Sequence, residues 1–175
     1  MMKKQTKNQY TTEEIKDRAK QLIAKAEAKT DTPVDITSLA QQIGYRVYEV
    51  NFDDPQVAGM VVDSDKEKSI YVSENDPEGR KRFTIAHELG HVILHHQELA
   101  ANQRIVDYRK PLTDYKDTDD LKREVEANMF AAEILMPEDL TKKLWEFKQD
   151  VDDLAGFFKV SQKAALVRLE SLALI

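Results

Sequence analysis

Residues 82–96 read RFTIAHELGHVILHH. On a helix, Phe83, Ile85, Ala86, Leu89, Val92, Ile93 and Leu94 would cover most of the circumference, so the segment belongs in a protein interior. It also carries His87, Glu88 and His91. Polar and ionisable groups are costly in an interior unless they are paired or ligated. The chain must therefore wrap a core around this helix and bring partners to those three side chains.

The spacing indicates what the partner is. Residues four apart on a helix stand one above the other on one face, so His87 and His91 can aim imidazole nitrogens at one point. Glu88 follows the first histidine by one position, beside that point. His-Glu-x-x-His is the metallopeptidase pattern: two ligands to a metal ion, and a carboxylate that takes a proton from water activated there. The chain contains no cysteine, which excludes thiolate ligation, disulfides and thiol catalysis. Gly90, in mid-helix, costs about 1 kcal/mol relative to Ala. It indicates close approach of a backbone or substrate, or tight helix packing.

A catalytic zinc commonly has three protein ligands and one open position. His95 lies two turns beyond His87, about 12 Å along the axis, and cannot complete the set. The longer metzincin pattern fails, since Leu94 and Gln97 stand where its glycine and third histidine belong. The third ligand then comes from another element, and the predicted helix over 119–135 offers Glu124, Glu126 and Glu133. Glu124 shares a face with Ala127, Asn128 and Ala131, whose two alanines permit close packing on the motif helix. Asn128 can hold a ligand histidine from behind. Glu126, on a flank with Met129 and Phe130, reads as a solvated edge residue. The expected site is thus His87, His91 and Glu124 around zinc or manganese, with Glu88 as catalytic base and Asn128 supporting a ligand.

Around this centre the pattern is mixed. Thr11 or Thr12 caps a first helix with Ile15, Ala19, Leu22 and Ile23 on one stripe, and TDTP at 30–33 ends it. Asp35 opens a short second helix that Gly44 closes. YRVYEV at 45–50, VAGMVVD and SIYVS read as three strands, the last two a hairpin over DSDKEK. Residues 97–118 read as a mobile loop, and helices follow over 119–135, 151–158 and 161–173, with another opening at Pro137. The expected fold is α+β, mainly helical, with a three-stranded sheet. The expected divisions are a flexible 1–10, a main domain over 11–148 and a helix-turn-helix-like tail over 149–175.

Two stretches, RFTIAHELGHVILHH at 82–96 and EVEANMFAAEILMP at 124–137, resemble the ImmA/IrrE family of metallo-endopeptidases. The second is similar to the family's E-x-x-A-N-x-F-A-A-x-L-L-M-P pattern, with Ile134 for the first leucine. The closing LAGFFKVSQKAALVRLESLALI also resembles the family's helical tail. The resemblance implies a zincin-like fold with metal ligands at His87, His91 and Glu124 and a catalytic base at Glu88. It further implies an anti-repressor, often carried on mobile elements, that cleaves a helix-turn-helix repressor of the Cro/CI type.

Within that reaction, Arg104, Tyr108, Arg109 and Tyr115 are the candidate donors to the developing oxyanion. AGMVV or SIYV would offer the edge strand along which substrate pairs. The alternative is a peptidase-like regulator that binds its repressor or DNA without cutting. The tail argues against DNA, since Asp150, Asp152, Asp153 and Glu170 offset Lys159, Lys163 and Arg168. The net charge of -6 likewise removes the usual drive toward nucleic acid. No apolar run approaches the roughly 20 residues of a membrane span, and the basic N-terminus has no apolar stretch behind it, so the expected location is cytoplasmic.

Overall fold

A computed structural model describes residues 9–26, 33–108 and 110–175. Its first helix, α1 (Thr12–Lys25), starts at a reciprocal cap: the Thr11 hydroxyl accepts from the Glu14 amide, and the Glu14 carboxylate accepts from the Thr11 amide. Ile15, Ala19, Leu22 and Ile23 form its buried stripe. TDTP at 30–33 lies largely outside the described residues, as do 1–8 of the expected flexible terminus. Helix α2 (Ile36–Gln42) is capped by Asp35, and Gly44 after it takes φ +94°, a left-handed conformation that glycine adopts without strain.

Four strands form the sheet, one more than the sequence suggests. They are β1 (Arg46–Val50), β2 (Val57–Asp63), β3 (Lys68–Ser73) and β4 (Arg104–Tyr108), in the order β1-β3-β2-β4. β2 and β3 make the expected hairpin, β1 runs parallel to β3, and β4 runs antiparallel to β2 with an irregularity between Val57 and Gly59. The expected loop over 97–118 is thus ordered into α4 (His96–Asn102), β4 and a single tight turn at Leu112–Asp114. A five-residue strand whose partner lies more than forty positions earlier carries almost no local signal. Both hairpin strands lie inside the sheet, so neither AGMVV nor SIYV is an edge; the edges are β1 and β4.

The motif helix α3 (Glu78–Leu94) crosses the sheet beside β2 and β3 and is anchored by Arg82, which donates to the Val34 carbonyl at 2.9 Å. It ends at His95, one residue before α4, instead of running on through His96 as the periodicity suggests. Helix α5 (Thr118–Leu135), capped by Asp117, packs along α3 on one side and α1 on another. Gly90 is what lets the helices close: a β-carbon there would lie 3.0 Å from the Ala127 Cα and 3.1 Å from its carbonyl oxygen. Close approach of a neighbouring backbone and tight helix packing are here one and the same contact.

Helices α6 (Glu138–Phe147), α7 (Val151–Phe158) and α8 (Gln162–Ser171) complete the chain. Ser161 caps α8 as expected, and Lys159 makes the left-handed turn before it. Leu154, Ala155, Phe158, Ala165 and Leu169 join the same apolar cluster as Leu89, Phe130 and Ile134. Arg168 reaches back to pair with Glu133 and donates from Nε to the Met136 carbonyl at 2.9 Å. The fold is mainly helical, α+β and zincin-like. Among the described residues, no helix is long and apolar enough to cross a membrane.

Candidate metal centre

α3 presents His87 and His91 on the face turned toward α5, with their Nε2 atoms 3.0 Å apart. From α5, Glu124 brings Oε2 to 3.2 Å from His87 Nε2 and Oε1 to 3.5 Å from His91 Nε2. One ligand atom from each of the three lies within 4.8 Å of the others. The histidines are 3% and 1% exposed, so the cluster is withdrawn from water. Two neutral imidazoles whose Nε2 atoms meet this closely cannot both carry a proton there. Two nitrogen lone pairs and a carboxylate converging on one point form the donor set of a divalent metal.

Asn128 stands one turn beyond Glu124, and its Oδ1 lies 2.9 Å from His87 Nδ1. An amide oxygen only accepts, so His87 Nδ1 carries the proton and, in the neutral ring, Nε2 presents its lone pair to the cluster.

Glu88 is fully buried, and neither carboxylate oxygen has a hydrogen-bond partner. Burial pushes its pKa well above the ordinary carboxylate range, and the charges of Asp107 and Glu124 add to the effect against the opposing His87. A buried carboxyl with no partner is energetically expensive. Its position beside two imidazoles and the Glu124 carboxylate accounts for it if a cation and its water fill the space, so the residues fit a metal. Gly59 of β2 makes room for it: a β-carbon there would lie 2.9 Å from Glu88 Oε1.

The metal-free electrostatics divide the histidines. Burial lowers both, but at His87 the hydrogen bond it donates to Glu124 and the charges of Asp107, Glu124 and Glu88 prevail, raising it to about 9. At His91 burial prevails, aided by His87 and His95, lowering it to about 4. Burial opposes ionisation of Glu124, but its bonds with His87 and His91 hold it well below the usual carboxylate range.

The expected site residues His87, His91, Glu124, Glu88 and Asn128 are all brought together. Of the four expected oxyanion donors, Tyr115 reaches the cluster: burial, the charges of Glu124 and Asp107, and a hydrogen bond with Glu124 raise its hydroxyl. Arg104 stands opposite Val62, away from Gly59, and is exposed; Tyr108 is 44% exposed; Arg109 lies outside the described residues.

Three residues escaped sequence reasoning or were misread by it. Asp107 on β4 lies opposite Gly59, half-buried and close enough for its charge to act on His87, with its pKa raised by desolvation. Its one sequence signal is an acidic residue inside the apolar run of RIVDY. Glu126 is 6% exposed, and so is no solvated edge residue. His95, set aside in the sequence as too far along the helix to be a ligand, is buried directly behind His91, with the two Nδ1 atoms 3.0 Å apart.

A Mycobacterium tuberculosis transcriptional regulator of known structure shares the fold, with a TM-score of 0.63 and 19% identity over 93% of this chain and 47% of the regulator. The chain therefore spans about half of that protein's length. No curated protein matches it significantly. The sequence pattern of the IrrE N-terminal-like domain matches residues 40–170, which include the whole His87, His91 and Glu124 cluster. On that match the chain belongs to the peptidase-type family of the IrrE N-terminal-like domain, Peptidase_M78.

Proposed function

We propose that the chain is a metal-dependent endopeptidase that cleaves a helix-turn-helix repressor and so relieves repression. The observation that carries the hydrolase reading is the partnerless, buried carboxylate of Glu88 beside His87, His91 and Glu124. Those three residues would hold zinc, or manganese in its place. When bound, such an ion lowers the pKa of water and polarises a carbonyl.

Glu88 takes one proton from the attacking water as the new C–O bond forms, then returns it to the amine nitrogen as the C–N bond breaks. Its raised pKa suits a group that must hold a proton between those events. Asn128 keeps the His87 ring in the required tautomer. Tyr115 is the hydroxyl best situated to donate to the carbonyl oxygen as negative charge develops there. The edge strand for an extended substrate is β4, whose neighbour on one side is β2 and whose Asp107 lies near the site.

The repressor as substrate is supported by the family's resemblance to anti-repressors and by a structural neighbour that is a transcriptional regulator. The tail does not favour DNA. Of its three cations, Arg168 is buried and paired with Glu133, which leaves Lys159 and Lys163 against four carboxylates.

The test is co-expression of wild type or Glu88→Gln with a panel of Cro/CI-type repressors from the source genome, read by mass spectrometry of the fragments. Cleavage by wild type alone is expected. Intact repressor that co-purifies equally with both forms would instead establish a binding regulator.

A further inference from the structure

Behind His91, on the side away from the cluster, lies a second polar chain that the proposed reaction does not use. His91 Nδ1 meets His95 Nδ1 at 3.0 Å, and His95 Nε2 meets Glu126 Oε2 at 2.9 Å. The other oxygen of Glu126 accepts from the backbone amide of Tyr10 at 2.6 Å. The Tyr10 hydroxyl donates to the Leu94 carbonyl at 2.9 Å, next to the point where α3 ends. His91, His95 and Glu126 are all buried.

Hydrogen-bond chemistry gives this chain a direction. The Glu126 carboxylate only accepts, so His95 Nε2 carries a proton and donates it. In neutral His95 the remaining nitrogen, Nδ1, is then an acceptor. Facing it, His91 Nδ1 must be the N–H, and the lone pair of His91 is left on Nε2, the nitrogen that faces His87 and Glu124. Asn128 does the same for His87 in one step. The two ligand histidines are thus fixed from behind by different devices, an amide for one and an imidazole–carboxylate pair for the other.

We infer that His95 and Glu126 are positioning residues for the metal centre: they fix the tautomer and ring orientation of His91, and Glu126 is itself held by the amide of Tyr10. The inference rests on the reading of His87, His91 and Glu124 as a metal site. It also gives α1 and the residue before its cap a place in the site, although both precede the 40–170 span shared with the family. α1 packs on α5, and Tyr10, just before the cap of α1, bonds the buried Glu126 carboxylate. Outer partners of ligand histidines are worth about ten- to a hundred-fold in metal affinity.

The test is zinc affinity of the full chain, measured by competition with a fluorescent chelator, with melting of the metal-free protein followed by circular dichroism. The variants are His95→Phe, Glu126→Leu and Glu126→Gln. His95→Phe keeps a flat ring but removes the acceptor facing His91. Glu126→Leu removes the acceptor facing His95, and Glu126→Gln retains an oxygen that can accept.

We expect zinc affinity to fall about ten- to a hundred-fold in His95→Phe and Glu126→Leu. The double variant His95→Phe/Glu126→Leu should be no weaker than the worse single, because the two act in series. Glu126→Gln should recover most of the affinity. In cobalt-loaded protein the visible spectrum should shift in the two weakened variants and not in Glu126→Gln.

Zinc affinity within twofold of wild type in folded His95→Phe would overturn the inference. If His95→Phe does not fold, the Glu126 pair decides: a gap of tenfold or more between leucine and glutamine supports it, and a smaller gap overturns it. Wild type that binds no zinc would instead defeat the metal site itself, and tight wild-type binding with unaffected variants defeats only the outer chain.

Discussion

A β-carbon at position 59 would stand 2.9 Å from Oε1 of Glu88, so the glycine of β2 and the motif glutamate of α3 occupy space with no room for one more atom. The same β-carbon would lie 2.4 Å from Thr84 Cγ2 and 3.2 Å from the Tyr71 carbonyl oxygen. Sheet and motif helix therefore meet at a backbone surface, and Glu88 fits between them because no side chain stands opposite it.

Gly59→Ala is accordingly expected to destabilise the protein by about 1–3 kcal/mol, the ordinary range for overpacking. It should also displace Glu88. The double variant Gly59→Ala/Thr84→Ser removes the tightest clash while leaving the one at Glu88. Urea unfolding should then return toward wild type while repressor cleavage stays depressed. Cleavage that recovers in step with stability would mean that Gly59 serves packing alone.

Gly90 sets the distance between the two ligand-bearing helices. The atoms that a β-carbon there would meet belong to the Ala127 backbone and side chain, at 3.0 to 3.3 Å, so α5 must shift by a few tenths of an ångström. Alanine gains about 1 kcal/mol of helix propensity over glycine, which offsets part of the packing cost. For Gly90→Ala we expect a change in stability within about 1 kcal/mol and a several-fold loss of zinc affinity, as Glu124 moves relative to His87 and His91. Unchanged zinc affinity with unchanged stability would show that the contact has no bearing on the site.

What the sequence discloses and what it withholds follow from the range of the interactions. His87, Glu88 and His91 are legible because one helix turn fixes their geometry, and Glu124 with Asn128 is legible for the same reason on α5. β4 and its Asp107 are not, because a short strand acquires its conformation from β2, far away in the chain. Glu126 misleads because the helical face alone does not reveal which neighbour covers it. The side turned from His87 reads as solvent until Tyr10, just before α1, is seen bonded to that carboxylate. His95 fails as a ligand by its distance along the helix, and the same spacing of four residues is what sets it directly behind His91.

Metal binding should release protons. In the metal-free protein the pKa of His87 is raised to about 9 and that of His91 lowered to about 4, so at pH 7.5 His87 holds a proton and His91 does not. Ligation requires the lone pair on His87. The metal-free form therefore gives up at least one proton on binding below about pH 9, and affinity rises with pH until His87 is neutral in both forms. Calorimetric titration with zinc in buffers of different ionisation enthalpy measures the number directly. A heat independent of the buffer at pH 7.5 would contradict the assigned protonation.

The tail is held to the body by a buried ion pair between Arg168 of α8 and Glu133 of α5. Glu133 is 1% exposed and Arg168 6%, and the other Glu133 oxygen accepts from the Glu138 amide at 3.3 Å, at the start of α6. Removing one partner leaves a charge in an apolar setting, which costs about 3–5 kcal/mol, whereas replacing both with apolar groups of similar size is often near neutral. Arg168→Met should lower the urea midpoint sharply, and Arg168→Met/Glu133→Leu should restore much of it. Glu133 and Glu124 lie on the same helix but engage different neighbours, so zinc affinity of the double variant should stay within twofold of wild type. A double variant as unstable as Arg168→Met would show that the Met136 carbonyl, which accepts from Arg168 Nε, matters more than the pair.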